Sequence, residues 1–201
     1  MVQKGYSAGM VQLPFWFLEF KKVMLLLHEG MTLQEIKTKN KEENIFSAIS
    51  AERANRSFNT VSRRIRAFDK SYIDLFPMLD VTNQKIVALI AIMNDDMLFF
   101  EFMHETVREK FILGVHELGD SDISIFFRNK QTQDEKVGGW KDLTLRKLSI
   151  AYKNVLKGSG LVDQENDDKL YLRKPILDYS LEELLKETHQ IAILNILQGV
   201  R

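Results

Sequence analysis

Few side chains here combine type and spacing in a way that could do chemistry. The clearest are Glu101 and His104, an E-x-x-H pair that one helical turn would bring together. Carboxylate di-metal bundles need two such pairs and two further glutamates, and this sequence supplies one pair. The plainer reading is that Glu101, Glu105 and Glu109, four residues apart, form a solvated acidic stripe within which Arg108 and Lys110 find partners. His28, His104, His116 and His189 lie far apart, with no ligand spacing among them. There is no cysteine, which removes disulfides, thiolate metal sites and cysteine nucleophiles. Phosphate-binding glycine loops, nucleophile elbows and H-E-x-x-H are also absent. The expectation is a protein without a catalytic centre, cofactor or metal.

The other available chemistry is recognition of phosphate. The formal net charge is +0, which by itself argues against a nucleic-acid binder. The distribution says more. Residues 31–70 hold nine basic and five acidic side chains, residues 136–174 hold the same numbers, and the remainder is acidic. In the first segment a helix over Ser50–Tyr72 puts Ala54, Phe58, Val61, Ile65 and Phe68 on one stripe. Arg56, Arg63 and Lys70 then share the opposite face, flanked by Arg53, Arg64 and Arg66. Arginine's planar fork suits phosphates and guanine edges. The rival reading is a solvated face, which normally mixes signs; Glu52 and Asp69 are the only acids between Ala51 and Tyr72. With the helix before it, this segment could make a helix-turn-helix, although the link NIFSAIS exceeds the usual three or four residues.

In the second segment a helix over Asp142–Lys157 buries Leu145, Leu148, Tyr152, Val155 and Leu156. Arg146, Lys153 and Lys157 share another face, with Lys147 and Asn154 beside them. Next come LVD, a polar turn QENDD, and KLYLR, a strand–turn–strand in which Lys169, Tyr171 and Arg173 point one way and Leu170 and Leu172 the other. Helix, turn, helix, ribbon is the order of a winged helix-turn-helix, whose second helix enters the major groove while the ribbon follows the backbone. Glu165, Asp167 and Asp168 at the turn tip argue against deep insertion of a wing. The alternative is a structural winged helix used for protein contacts.

The elements that must position these faces are mostly helices. Pro14 opens a periodic stretch to Glu29, with Gly30 as its stop. Thr32 and Glu35 form a capping box, Ser50 caps the next helix, and residues 84–93 read as a buried helix. Asn94 or Asp95 caps a helix to Leu113, ended by Gly114. Asp120 caps the helix carrying Ile123, Phe126 and Phe127, and Ser180 with Glu183 caps a last helix to about Leu197. The fold class expected is a mostly α helical bundle with helix-turn-helix character and a C-terminal winged-helix-like module with a small β-ribbon. We place the boundary at HELGD, giving domains 1–115 and 116–201. The longest apolar run, Ile86–Met93, falls well short of the roughly 20 residues of a spanning helix, and the N-terminus lacks a cleavage site. A soluble cytoplasmic protein is expected.

Several stretches carry a family resemblance: GYSAG followed by Pro14-Phe15; LFFEFMHETVREKFILG at 98–114; the pattern D-x-D-I-x-x-F-F-x-x-K over Asp120–Lys130; Trp140; and TLRKL at 144–148 followed by Tyr152 and GLV at 160–162. The chain resembles, over essentially its whole length, the BrxA proteins of BREX phage-resistance systems. The resemblance implies a small accessory factor encoded beside a methyltransferase, an ATPase, an alkaline-phosphatase-like protein and a Lon-like protease. It also implies a helical DNA-binding protein with winged-helix character, partly similar to the antitermination factor NusB, and no enzymatic activity. The leading expectation is a double-stranded DNA binder held mainly by phosphate contacts, hence of weak sequence preference. Its rivals are an adaptor that docks other BREX components and an RNA-binding module of NusB-like type.

Overall fold

A computed structural model of the chain describes residues 5–166 and 169–201, with side chains given outside 164–169. Helices dominate, and their ends follow local capping chemistry. The helices α1 (Phe17–His28) and α2 (Leu33–Glu43) are separated by Gly30, whose φ of 96° suits a residue without a Cβ. The capping box of Thr32 and Glu35 is made in both directions. Ser50 caps α3 (Ala51–Ile65), but the single helix expected to Tyr72 is two. Asp69 accepts the Ser71 N–H and starts α4 (Lys70–Leu75), while Phe68 stays in the core, stacked on Tyr72 with ring centroids 4.1 Å apart.

The centre of the molecule is α5 (Val81–Asp95), capped by Asp80 and longer than the 84–93 segment expected. Ile86–Met93 is buried all round, because α1, α3, α6 and α10 surround it. The helix to Leu113 comprises α6 (Met97–Phe102), a π-helical turn over Met103–Val107, and α7 (Arg108–Leu113). Its cap is Asp96 rather than Asn94 or Asp95, and Gly114 ends it in the left-handed conformation. In α8 (Asp120–Gln133) the expected cap Asp120 lies inside the first turn; Gly119 is the N-cap and donates its N–H to Asp122 at 2.8 Å. The short α9 (Glu135–Gly138) leads to α10 (Asp142–Ser159).

The ribbon expected at the end of α10 is present as β2 (Val162–Asn166) and β3 (Lys169–Leu172). A further short strand, β1 (Glu117–Leu118), was not expected and pairs with β3, so the antiparallel sheet has the order β1-β3-β2. The last helix is also two: α11 (Tyr179–Glu187), capped by Asp178 rather than Ser180, and α12 (Ile191–Gln198), parted at His189 with φ 57°. Buried apolar residues form one contiguous core from Met10 to Leu197 that runs across residue 115. No helix among the described residues is long and apolar enough to cross a membrane.

Residues 5–16 form a strap across this body. Pro14 does not open a helix. Its carbonyl and that of Phe15 accept hydrogen bonds from Arg64 at 3.0–3.2 Å, and Trp16 turns through φ 50° before α1 begins. A 3₁₀ turn, Gly9–Gln12, packs on α10, and the Phe15 ring lies so close to Gly158 that a Cβ there would sit 2.6 Å from it. At the other end Tyr6 donates its hydroxyl to Glu101 at 2.7 Å, and Lys136 donates to the Tyr6 carbonyl at 2.6 Å.

Candidate nucleic-acid interface

Two basic elements were expected to approach nucleic acid, and the structure treats them differently. In α10, Asp142 lies in the first turn and Gly160 supplies the left-handed C-cap. Leu148, Tyr152, Val155 and Leu156 face the core as expected, and Leu145 is half-buried. At about 100° per residue, Leu143, Ile150, Asn154 and Lys157 lie within about 40° of one line on the opposite side. All four are exposed, Leu143 at 62% and Ile150 at 59%. This crest has two shoulders. One, towards α8, carries Arg146 and Lys153 beside Ser124, Arg128 and Gln131. The other, towards the strap, carries Lys147, Ala151 and Asn154 beside Met10–Phe15. Ile150 borders both grooves.

The cations of α10 are not equivalent. Lys153 is half-buried and ion-paired with Asp120 of α8, so it was misplaced as part of an open row with Arg146 and Lys157. Arg146, Lys147 and Lys157 are exposed and make no ion pair among the described residues. On the ribbon, Leu170 and Leu172 are buried and Arg173 is exposed, as the alternation requires. Arg173 pairs across the strands with Asp163. The side chains of Lys169 and Glu165, and Asp167 and Asp168 altogether, lie outside the described residues.

On α3 the expected basic face is broken up. Arg64 is buried to 2% exposure and spends its donors on the strap carbonyls, so it belongs to the interior and not to an interface. Burial pulls its guanidinium down to about 10, still charged at neutral pH. Arg63 grips Asp95 with two bonds of 2.9 Å from Nε and a third contact of 2.8 Å. Lys70 starts α4 and is not the next step of the Arg56–Arg63 row. Arg53, Arg56 and Arg66 remain exposed without an ion pair among the described residues. Arg66 and Arg63 line a cleft between α2 and α3 together with Lys37 and Gln34.

Glu101 and His104 turn to different partners, and the stripe of Glu101, Glu105 and Glu109 is not simply solvated. Glu101 is mostly buried and shares Lys130 of α8 with Glu105, at 2.5 and 2.6 Å, while also receiving the Tyr6 hydroxyl. Burial would lower the Lys130 ammonium, but its hydrogen bonds to the two carboxylates outweigh this and raise it. Burial, then the bond to Glu101, raises the Tyr6 phenol. His104 stacks on Phe100, and Lys110 reaches Asp122 instead of staying within the stripe. Among the described residues no three His, Asp or Glu side chains are grouped to hold a metal. Lys130 was noted only within the family pattern and not as a buried charge, yet it sits at i+7 from Ile123 and i+4 from Phe126, on the apolar stripe of α8.

The fold and these faces define a small helical protein with a minor antiparallel sheet and two cation-rich helical surfaces. The chain belongs to the BrxA family, whose model matches residues 4–189. It is 34% identical over 197 residues to the BREX protein BrxA of Bacillus cereus (strain H3081.97), covering 98% of both chains. The crystal structure of an uncharacterized protein from Magnetospirillum magneticum superposes with a TM-score of 0.78 over 96% of this chain and 98% of that one. At 17% identity that likeness shows the shared fold.

Proposed function

We propose that this chain is a non-catalytic, double-stranded DNA-binding accessory protein of a BREX bacteriophage-defence system, working in the cytoplasm beside the system's other components. The observation that carries the reading is the exposed face of α10, where Arg146, Lys147 and Lys157 stand without acidic partners among the described residues. Supporting it is the order of elements around that helix. The order α7, β1, α8, the short α9, α10, β2 and β3, with β1 on the outer edge of β3, is consistent with a winged helix, and in this reading α10 is the groove-entering helix. The phage-defence role rests on the family and on the BREX relative.

Affinity in this reading comes from phosphate neutralisation. With three to six phosphates contacted, log K falls against log salt with a slope of about −3 to −5. The triple variant Arg146→Ala, Lys147→Ala, Lys157→Ala should stay folded by circular dichroism and lose about three units of that slope on unrelated duplexes. Affinity that ignores salt would sink the DNA reading. Unchanged binding by the triple variant would move the interface to Arg53, Arg56 and Arg66, and stronger binding to RNA than to duplex DNA would favour the RNA module.

A further inference from the structure

The crest of α10 is not what phosphate binding alone requires. A surface that only neutralises phosphates needs cations and solvated polar groups, yet the crest also carries Leu143 and Ile150, each more than half exposed. They lie seven residues apart, which along a helix is about 10 Å, close to three base steps at about 3.4 Å each. Arg146 flanks them on one side and Lys147 on the other, with Lys157 further along the crest, so an occupant of this ridge meets positive charge on both shoulders. Asn154, one turn after Ile150, presents an exposed amide. The major groove of duplex DNA offers the complement of each part: phosphates along both walls, the C5-methyl of thymine as the apolar group on the floor, and adenine N6/N7 as the bidentate partner of an asparagine amide.

Resting on the DNA-binding reading above, we propose that α10 reads A·T-containing steps, with Leu143 and Ile150 seated on thymine methyls about three base pairs apart and Asn154 on an adjacent adenine. This discrimination is added to the electrostatic affinity and does not replace it. Burying one methyl is worth about fourfold in affinity, and two about tenfold or more.

The test compares one A·T-containing duplex with the same duplex carrying deoxyuridine at every thymine, which removes only the methyls. Affinities are measured by fluorescence anisotropy on the full chain at several salt concentrations. The parent should bind the thymine duplex about four- to fifteenfold more tightly. Leu143→Ser with Ile150→Ser should bind the two duplexes equally, with an unchanged salt slope, since both side chains are exposed and outside the core. Salt-dependent binding by the parent that does not distinguish the duplexes would overturn this inference and leave the DNA reading standing. A preference that survives in the double variant would overturn the assignment to these side chains. Loss of affinity for another BREX protein, in place of any methyl effect, would reassign the crest to protein docking. No duplex binding at low salt would remove both readings together.

Discussion

Arg64 shows how much depends on where a single charge ends up. Read along the chain it is one of five arginines on a basic helix, but in the fold it points inward and holds the carbonyls of Pro14 and Phe15. Its hydrogen-bonded partners are neutral, so removing the guanidinium orphans two acceptors rather than an opposite charge. Arg64→Met should therefore cost about 1–3 kcal/mol of stability, below the roughly 3–5 kcal/mol of a broken buried ion pair. It should leave the salt slope of duplex binding unchanged. Urea titration reads the first quantity, and an unchanged midpoint would contradict the anchoring role; a reduced salt slope in the folded variant would return Arg64 to the interface. At 100° steps Arg63 lies opposite the apolar stripe and Arg66 well off it, whereas Arg64 lies about 80° from its centre, at the edge, and only the strap's arrival decides that this edge is covered.

At the scale of elements, what depended on local chemistry was readable and what depended on distant contacts was not. The Thr32–Glu35 box, the Ser50 cap and the stop at Gly114 follow from residues within one turn of each other, and the α10 span and the ribbon after it from patterns confined to their own segments. The break between α3 and α4 was missed because Phe68 continues the apolar spacing through it, although Asp69 was available as a cap. The end of the strap, from Pro14 to Trp16, was read as the start of a helix because Pro14 commonly starts one; the strap's backbone instead finds partners in Arg64 and Lys136, far along the chain. The strap's fit to α10 can be measured through Gly158. Alanine normally stabilises a helix interior by about 0.5–1 kcal/mol over glycine. Here the new Cβ would meet Cδ1, Cγ and Cβ of Phe15 at 2.6, 2.9 and 3.1 Å, the base of the side chain and not its tip. Overpacking of about 1–3 kcal/mol should win, and Gly158→Ala should lower stability. Pairing it with Phe15→Ala should turn the same alanine favourable. A stabilising single substitution would show that Phe15 does not rest there.

For the molecule as a whole, the boundary expected at residue 115 has no counterpart in the core. The second half closes on the first through α12 against α7, α11 against α4 and α10 against α5. Polar ties cross as well: Gln190 donates to the Tyr72 hydroxyl at 2.8 Å, Asn94 donates to Gln190 at 2.9 Å, and the Asp178 N–H donates to Asn83 at 2.9 Å. We expect one cooperative unfolding transition. The two tryptophans, Trp16 and Trp140, stand on either side of the boundary, so Trp16→Phe and Trp140→Phe leave one reporter in each half. Each reporter should give the same denaturation midpoint as circular dichroism of that variant; midpoints that separate would show two folding units. The strap adds a consequence in time. Tyr6 emerges from the ribosome early, but its carbonyl's partner is Lys136 and the seat of Phe15 is Gly158. At about 5–20 residues per second, on the order of ten seconds pass before that seat exists. Through that interval the apolar stretch from Met10 to Phe15 lacks the cover of α10, which makes the nascent strap the natural place for a chaperone to hold this chain and the last piece of it to lock.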